Sequence, residues 1–144
     1  MSLNNKIIIR NFTQSDYPFM RQILEEGGLF DSNIDNEARV LEKISRDPQS
    51  TLVAEEGGKI IGTLSIMEDG QLAFLVRLAV KKEHRGRGLG TKLMQEAETI
   101  LKARGYEEVH ILVNEKDPEL QDYYERLGYG KGQVYQWMYK ELGK

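Results

Sequence analysis

KKEHRGRGLGTKL, residues 81–93, is the stretch that decides how the chain reads. Its first seven residues set Lys81, Lys82, Arg85 and Arg87 against Glu83, a local charge of +3. The whole chain of 144 residues carries −3, so the rest must sum to −6. The positive charge is therefore concentrated where Gly86, Gly88 and Gly90 fall, just before an amphipathic run. A helix N-terminus presents four unpaired N–H groups and the positive end of the helix dipole. Glycines let a phosphate approach the backbone, and arginine forks suit phosphate oxygens. The pattern points to a small anion bound at one place, not to a broad nucleic-acid surface.

Two familiar phosphate loops fail. In the dinucleotide fingerprint G-x-G-x-x-G the third glycine would fall on Thr91, and a Walker loop would need Lys-Ser or Lys-Thr after Gly90, where the chain has Thr91-Lys92-Leu93. What remains is R-x-x-G-x-G, from Arg85 through Gly88 to Gly90.

Working outward, LAFLVRLAV (72–80) precedes the loop and is apolar almost throughout, as in a strand covered on both faces. After the loop, Leu89, Leu93, Met94, Ala97, Ile100 and Leu101 share one face of a helix to about Arg104, closed by Gly105. On the N-terminal side, KIIIR (6–10) reads as a first strand. Thr13 and Ser15 cap a helix to about Glu26, with Tyr17, Met20, Ile23 and Leu24 inward and Gly27-Gly28 as its stop. Ile34, Ala38, Leu41 and Ile44 mark a second helix, ending before Asp47-Pro48. STLVAEEGGKIIGTLSIM (50–67) is a hairpin turning at Gly57-Gly58, and Asp69-Gly70 turns into strand 72–80. Beyond Gly105, EEVHILV (107–113) is a strand, and Asp117-Pro118 opens a helix with Leu120, Tyr123, Tyr124 and Leu127 on its apolar face. Gly128 ends that helix, and VYQWMY (134–139) is a last strand. The order β-α-α-β-β-β-α-β-α-β predicts an α/β fold in one domain, 1–144.

Composition narrows the chemistry. With 40% hydrophobic and 30% charged residues the chain is ordinary globular material. There is no cysteine, which removes disulfides, thiolate catalysis and cysteine zinc sites, and two separated histidines do not make a metal site, so none is expected. No run is apolar enough for a membrane span and nothing resembles a signal peptide, so the expected compartment is the cytoplasm.

From Leu78 to Gly90, LAVKKEHRGRGLG resembles the acetyl-CoA signature of the GNAT N-acetyltransferase superfamily, and YYERLGY (123–129) resembles its second landmark. The resemblance covers the chain from Lys6 to Leu142. It implies a mixed, strongly twisted β-sheet flanked by helices, with strands 72–80 and 107–113 parallel and splayed around the pantetheine arm. It also implies that the backbone of Arg85, Gly86, Arg87, Gly88, Leu89 and Gly90, with Thr91, holds the pyrophosphate. The main chain of Leu78, Ala79 and Val80 would pair with pantetheine, with Ala79 or Val80 as oxyanion donor. Tyr124 would protonate the departing thiolate. Where the family has a cofactor-binding asparagine this chain has Asp117, and Asn114 is the substitute.

The implied reaction is acetyl-CoA-dependent N-acetylation of an amine, by direct transfer. The alternative is a non-catalytic acyl-CoA-binding sensor or regulatory module, because strand 72–80 has no carboxylate to act as a base. Glu68 and Asp69 are candidates that a solvated turn explains equally well, and His84 and His110 read as loop and strand residues. The acceptor, a small-molecule amine or a peptide, would be shaped by residues 27–33, including Phe30, and by Tyr135 and Trp137. Asp31 and Asp35 would suit a cationic amine, though capping explains them too. No nucleic acid and no membrane is expected as partner, and a homodimer is left open.

Overall fold

The β-rich runs of the first 80 residues form four strands: β1 (Ile7–Asn11), β2 (Thr51–Glu56), β3 (Lys59–Glu68) and β4 (Ala73–Val80). They make an antiparallel sheet in the order β1-β2-β3-β4. The computed structural model describes residues 6–143. These fall into two compact units, one up to Leu112 and a second from Val113.

Helix α1 (Tyr17–Glu26) buries Tyr17, Met20, Ile23 and Leu24, the four positions its periodicity marks. Its entry is fixed by Asp16, whose carboxylate accepts the Thr13 N–H at 2.8 Å and both arms of the Arg10 guanidinium. Helix α2 (Glu37–Arg46) starts later than Ile34, because the Asn36 side chain caps it by accepting from the Arg39 N–H at 3.0 Å. Val40, Leu41 and Ile44 of α2 and the α1 residues pack together with Val53 of β2.

Helix α3 (Leu89–Ala103) covers the opposite face and buries all six predicted residues, from Leu89 to Leu101. Gly62 makes this approach feasible. A Cβ at Gly62 would lie 3.2 Å from Leu93 Cδ1, 3.4 Å from the Ala79 carbonyl oxygen and 3.6 Å from Ala54 Cβ. With helices on both faces, Thr51 to Ala54 are buried without alternation.

Strand β4 contains an irregularity in its pairing with β3. The register runs Ser65↔Val76 and then Thr63↔Ala79, so Arg77 and Leu78 together oppose Leu64, a β-bulge. Arg77 has φ 60°, the left-handed region that a branched L-residue rarely visits.

Two expected strands differ. Of 107–113, only His110 joins the sheet, by one parallel bridge to Phe74: the Leu75 N–H donates to the His110 carbonyl at 2.9 Å and the His110 N–H to the Ala73 carbonyl at 2.8 Å. The ladder stops where the bulge reorients the edge it would follow, so the parallel component of the mixed sheet is this one bridge. In the second unit, α4 (Pro118–Arg126) forms as predicted, capped by the Asp117 carboxylate on the Leu120 N–H at 3.1 Å. Residues 134–139 form no strand; Val134, Tyr135, Trp137, Met138 and Tyr139 are 72–83% exposed. Strand propensity reports fit to a half-buried pleated surface, and no such surface covers these side chains.

The contact at Gly62 gives a direct test. Gly62→Val should cost about 1–3 kcal/mol by overpacking against Leu93. Leu93→Ala alone should cost about 2–5 kcal/mol. Urea denaturation of the double variant should show a combined loss smaller than the sum, because the cavity accepts the added methyls.

Candidate active site

Beyond the bulge, the Lys81 N–H donates to the Ile61 carbonyl at 2.8 Å, continuing the Gly62↔Val80 and Thr63↔Ala79 register. Hydrogen-bonded pairs alternate along an antiparallel ladder. Ala79 therefore turns its peptide groups to Thr63, while Leu78 and Val80 turn theirs away from β3. Before the bulge it is Ala73 and Leu75 that face away, toward His110. The extra residue exchanges one set for the other. Of the three residues assigned to the strand edge, Leu78 and Val80 present main-chain groups outward and Ala79 does not.

The loop then makes a short 3-10 turn (Lys82–His84) and reaches Gly88. Gly88 sits at φ 77°, the N-cap of α3, and places no side chain on the helix end. Helices α2 and α4 are capped by side chains, whereas α3, like α1, is not, and only α3 begins at a glycine. The space a Cβ would take at Gly86 or Gly88 holds no atom within 4 Å. Leu89 is buried in the core and fixes the helix, while Gly90 and Thr91 lie in its first turn.

The cations of the loop are less free than the sequence suggests. The Arg87 guanidinium grips Glu56 at the end of β2, at 3.0 and 2.6 Å, and also meets His84 Nδ1 at 2.8 Å. The Arg87 ion pair holds the Glu56 carboxyl below its ordinary range. Lys81 pairs with Glu83 at 3.4 Å, and the Glu26 carboxylate accepts the Lys82 N–H. Arg85 donates from Nε to the Val80 carbonyl at 3.0 Å, tying the loop back to β4.

Tyr124 and Asn114 belong to the second unit. Tyr124 is half-buried on α4, with Tyr123 and Tyr129 edge-on at 5.1 and 5.9 Å. Burial, with a smaller contribution from Tyr123, pushes its hydroxyl up to about 12. The Asn114 carboxamide oxygen accepts the Lys116 N–H at 2.9 Å, shaping the turn before α4.

Both carboxylates considered as bases are engaged. Glu68 binds Arg104 at 3.2 Å and accepts from the Tyr106 hydroxyl. Asp69 accepts the Leu72 and Gln71 N–H groups, which hold it below the carboxylate range. Phe30 lies under Arg21, whose guanidinium carbon is 4.5 Å from the ring centre, and Tyr135 and Trp137 are exposed.

Asp35, already a candidate from the sequence, and Arg39, Lys43 and Arg77, which sequence reasoning passed over, line a cavity of about 160 Å³ between the α1–α2 region and β3–β4. Asp35, buried at 4% exposure, takes Arg77 Nε and Nη2 at 3.1 and 3.0 Å and the Asp31 N–H at 2.9 Å. It is therefore not free to greet a cationic amine. Lys43 donates to Ser65 Oγ at 2.7 Å, and burial, reinforced by Arg46, lowers its ammonium from 10.5 to about 8. Its position three residues after Val40, on the inward side of α2, is the signal that marks it in the sequence.

The sequence model of the acetyltransferase (GNAT) family matches residues 11–129. The chain belongs to the GNAT acetyltransferase family. An acetyltransferase of Pectobacterium atrosepticum is 33% identical over 121 residues, covering 84% of this chain and 86% of that protein. One from Yersinia enterocolitica is 34% identical over the same shares. Among solved structures, the PaiA N-acetyltransferase of Thermoplasma acidophilum, in complex with coenzyme A, superposes with a TM-score of 0.79 at 21% identity, covering 90% of this chain and 93% of that one. The glucosamine-6-phosphate N-acetyltransferase of Arabidopsis thaliana gives 0.73 at 23% identity, covering 94% and 99%.

The co-substrate of this GNAT acetyltransferase is acetyl-CoA. The residues fit it: a helix end with no side-chain cap, open space over two glycines, and outward peptide groups at Leu78 and Val80. Among the described residues no helix is long and apolar enough to cross a membrane, and no cluster of three or more metal-ligating side chains forms.

Lys43 predicts a pH effect on stability. Its folded pKa of about 8 lies below the ordinary 10.5, so between those values the unfolded chain binds more protons and stability from this group rises with pH. Lys43→Met should melt higher than wild type at pH 7. Its advantage should shrink as pH rises above 8, which melting curves across pH 7 to 10 will read.

Proposed function

We propose that this GNAT acetyltransferase is an N-acetyltransferase, passing the acetyl group of acetyl-CoA directly to an amine of a small molecule or peptide. The observation that carries the reading is one continuous piece of chain, Leu78 to Thr91, that joins an outward strand edge to a bare helix N-terminus. In this proposal Leu78 and Val80 pair with the pantetheine amides as an added strand would, and the Val80 N–H is the oxyanion donor. The peptide groups from Arg85 to Gly90, with Thr91, hold the pyrophosphate, and Arg85 adds charge. Asn114 takes the amide contact, since the Asp117 carboxylate caps α4. Tyr124 is assigned to the leaving sulfur on its match to the family landmark, and its raised pKa supports a hydroxyl that stays protonated. The chain has no cysteine, in keeping with direct transfer.

The phosphate seat is tested by Gly90→Glu. A carboxylate in the first turn favours the helix dipole, and replacing glycine raises helix propensity, so the fold should hold. Calorimetry should find CoA affinity reduced at least about tenfold, since the charge repels a pyrophosphate. Full affinity in the folded variant would remove the loop from the site.

For Tyr124, replacement by Phe keeps the ring packing and removes the hydroxyl. With an acceptor that supports thiol release, turnover should fall about 10²–10³-fold, as for the loss of one positioned donor, with CoA affinity little changed. Tyr123→Phe is the control and should lose little. CoA binding without thiol release against any amine would favour the sensor instead.

A further inference from the structure

We propose that the acceptor amine carries an anionic group, a carboxylate or a phosphate, and that Lys43, with Arg39 beside it, receives that group in the cavity against β3 and β4. The inference rests on the acetyl-transfer reading and adds the substrate class.

The cavity wall holds three cations, Arg39, Lys43 and Arg77, and one carboxylate, Asp35. Asp35 is already spent: both its oxygens meet Arg77, and one also takes the Asp31 N–H. Arg77 and Asp35 thus cancel, and the remaining wall is positive. The Ser65 hydroxyl is the one hydrogen-bond partner of Lys43 Nζ among the described residues. Of the nearby charges, Arg46 repels it, and Asp47 at the end of α2 attracts it only through space, its carboxylate being held by Arg104 at 2.7 Å. An ammonium withdrawn from water without a counter-ion is costly, and a buried charge is ordinarily paired. Among the described residues no carboxylate forms an ion pair with Lys43, whose attraction to Asp47 acts only through space, and an anion in the cavity would complete the pair. Arg39, one helical turn before Lys43, lies on the same side of α2 and supplies a fork for carboxylate or phosphate oxygens.

Placement and size agree. Val76 and Arg77 of the wall lead directly into Leu78 and Val80, the strand edge proposed for the thioester. About 160 Å³ corresponds to roughly five waters at about 30 Å³ each. That suits a compact amino-acid-like or phosphorylated amine.

The test uses matched pairs that differ in the anion: L-alanine against L-alaninamide, and O-phosphoethanolamine against ethanolamine, with a polyamine as cationic comparison. Thiol release from acetyl-CoA is measured for wild type, Lys43→Met and Lys43→Arg, alongside CoA binding by calorimetry. The expected result is a kcat/KM at least tenfold higher for the anionic member of one pair, and that pair says whether carboxylate or phosphate is preferred. Lys43→Met should reduce this preference by about 10- to 100-fold through KM, as for a lost charged hydrogen bond, with the neutral member losing much less. Lys43→Arg should restore most of it. Turnover of the neutral amines or the polyamine equal to or above the anionic ones would overturn the substrate class while leaving acetyl transfer intact. An equal loss on both members in Lys43→Met would also overturn it, since Lys43 would then serve folding or proton transfer. CoA binding with no thiol release from any acceptor would overturn the acetyl-transfer reading and this inference together.

Discussion

The ion pair between Arg77 and Asp35 is the constraint on which the rest of the first unit turns. Arg77 occupies a left-handed backbone position inside a strand, which for an L-residue costs about 1–2 kcal/mol. A bidentate contact to a buried carboxylate holds it there. Three consequences follow from that one residue. The bulge exchanges which peptide groups of β4 face outward, so Leu78 and Val80 become available beyond it. It ends the pairing with the segment around His110 after a single bridge. And because Arg77 consumes Asp35, the wall of the adjoining cavity is left with Arg39 and Lys43 and no carboxylate in contact with either.

The loop before α3 shows the same economy. Four cations in seven residues would repel one another strongly without partners, yet Glu56 comes in from distant sequence to join Glu83, and Glu26 reaches the same loop to accept the Lys82 backbone N–H. Glu56 and Glu26 lie 31 and 56 residues from their partners. Their presence shifts the weight of anion binding from side-chain charge to the peptide groups at the bare end of α3. Backbone donors at a helix terminus are fixed in place, whereas a long arginine must first be ordered. The glycines are thus at least as important to the proposed phosphate seat as the arginines.

What the sequence made legible is what is local. The inward faces of α1 and α3 follow from 3.6-residue spacing, and every predicted residue is buried because helix periodicity fixes a face without reference to partners. The hairpin at Gly57-Gly58 and the cap at Asp117 are equally local. Residues 107–113 and 134–139 have the composition of strands, but a strand exists only with a neighbour, and composition does not name one. The site divides in the same way. The glycine loop announced itself through charge and spacing, and the carboxylates that temper it could not. Gly62 carries no signal of its own within β3, and only the approach of Leu93 explains it. Asp35 could be read as a partner for an amine or as a cap, and only the fold shows Arg77, 42 residues away, on it.

The proposed role of Tyr124 changes in character once its environment is known. A thiol ionises near 8.5 and a free tyrosine near 10, so proton donation to a leaving sulfur would ordinarily be about 1.5 units uphill. Burial moves Tyr124 to about 12, and full transfer becomes uphill by roughly 3.5 units, about 5 kcal/mol at 1.36 kcal/mol per unit. So large a penalty argues against a proton resting on the sulfur at the expense of a tyrosinate. The same burial makes the hydroxyl a persistent donor, because it stays protonated well above neutral pH, and a dry setting strengthens each hydrogen bond it offers. Near neutral pH a departing thiolate can wait for a proton from water. On this account Tyr124 stabilises charge as it develops on sulfur, and its burial, which weakens it as an acid, is what suits it to that task.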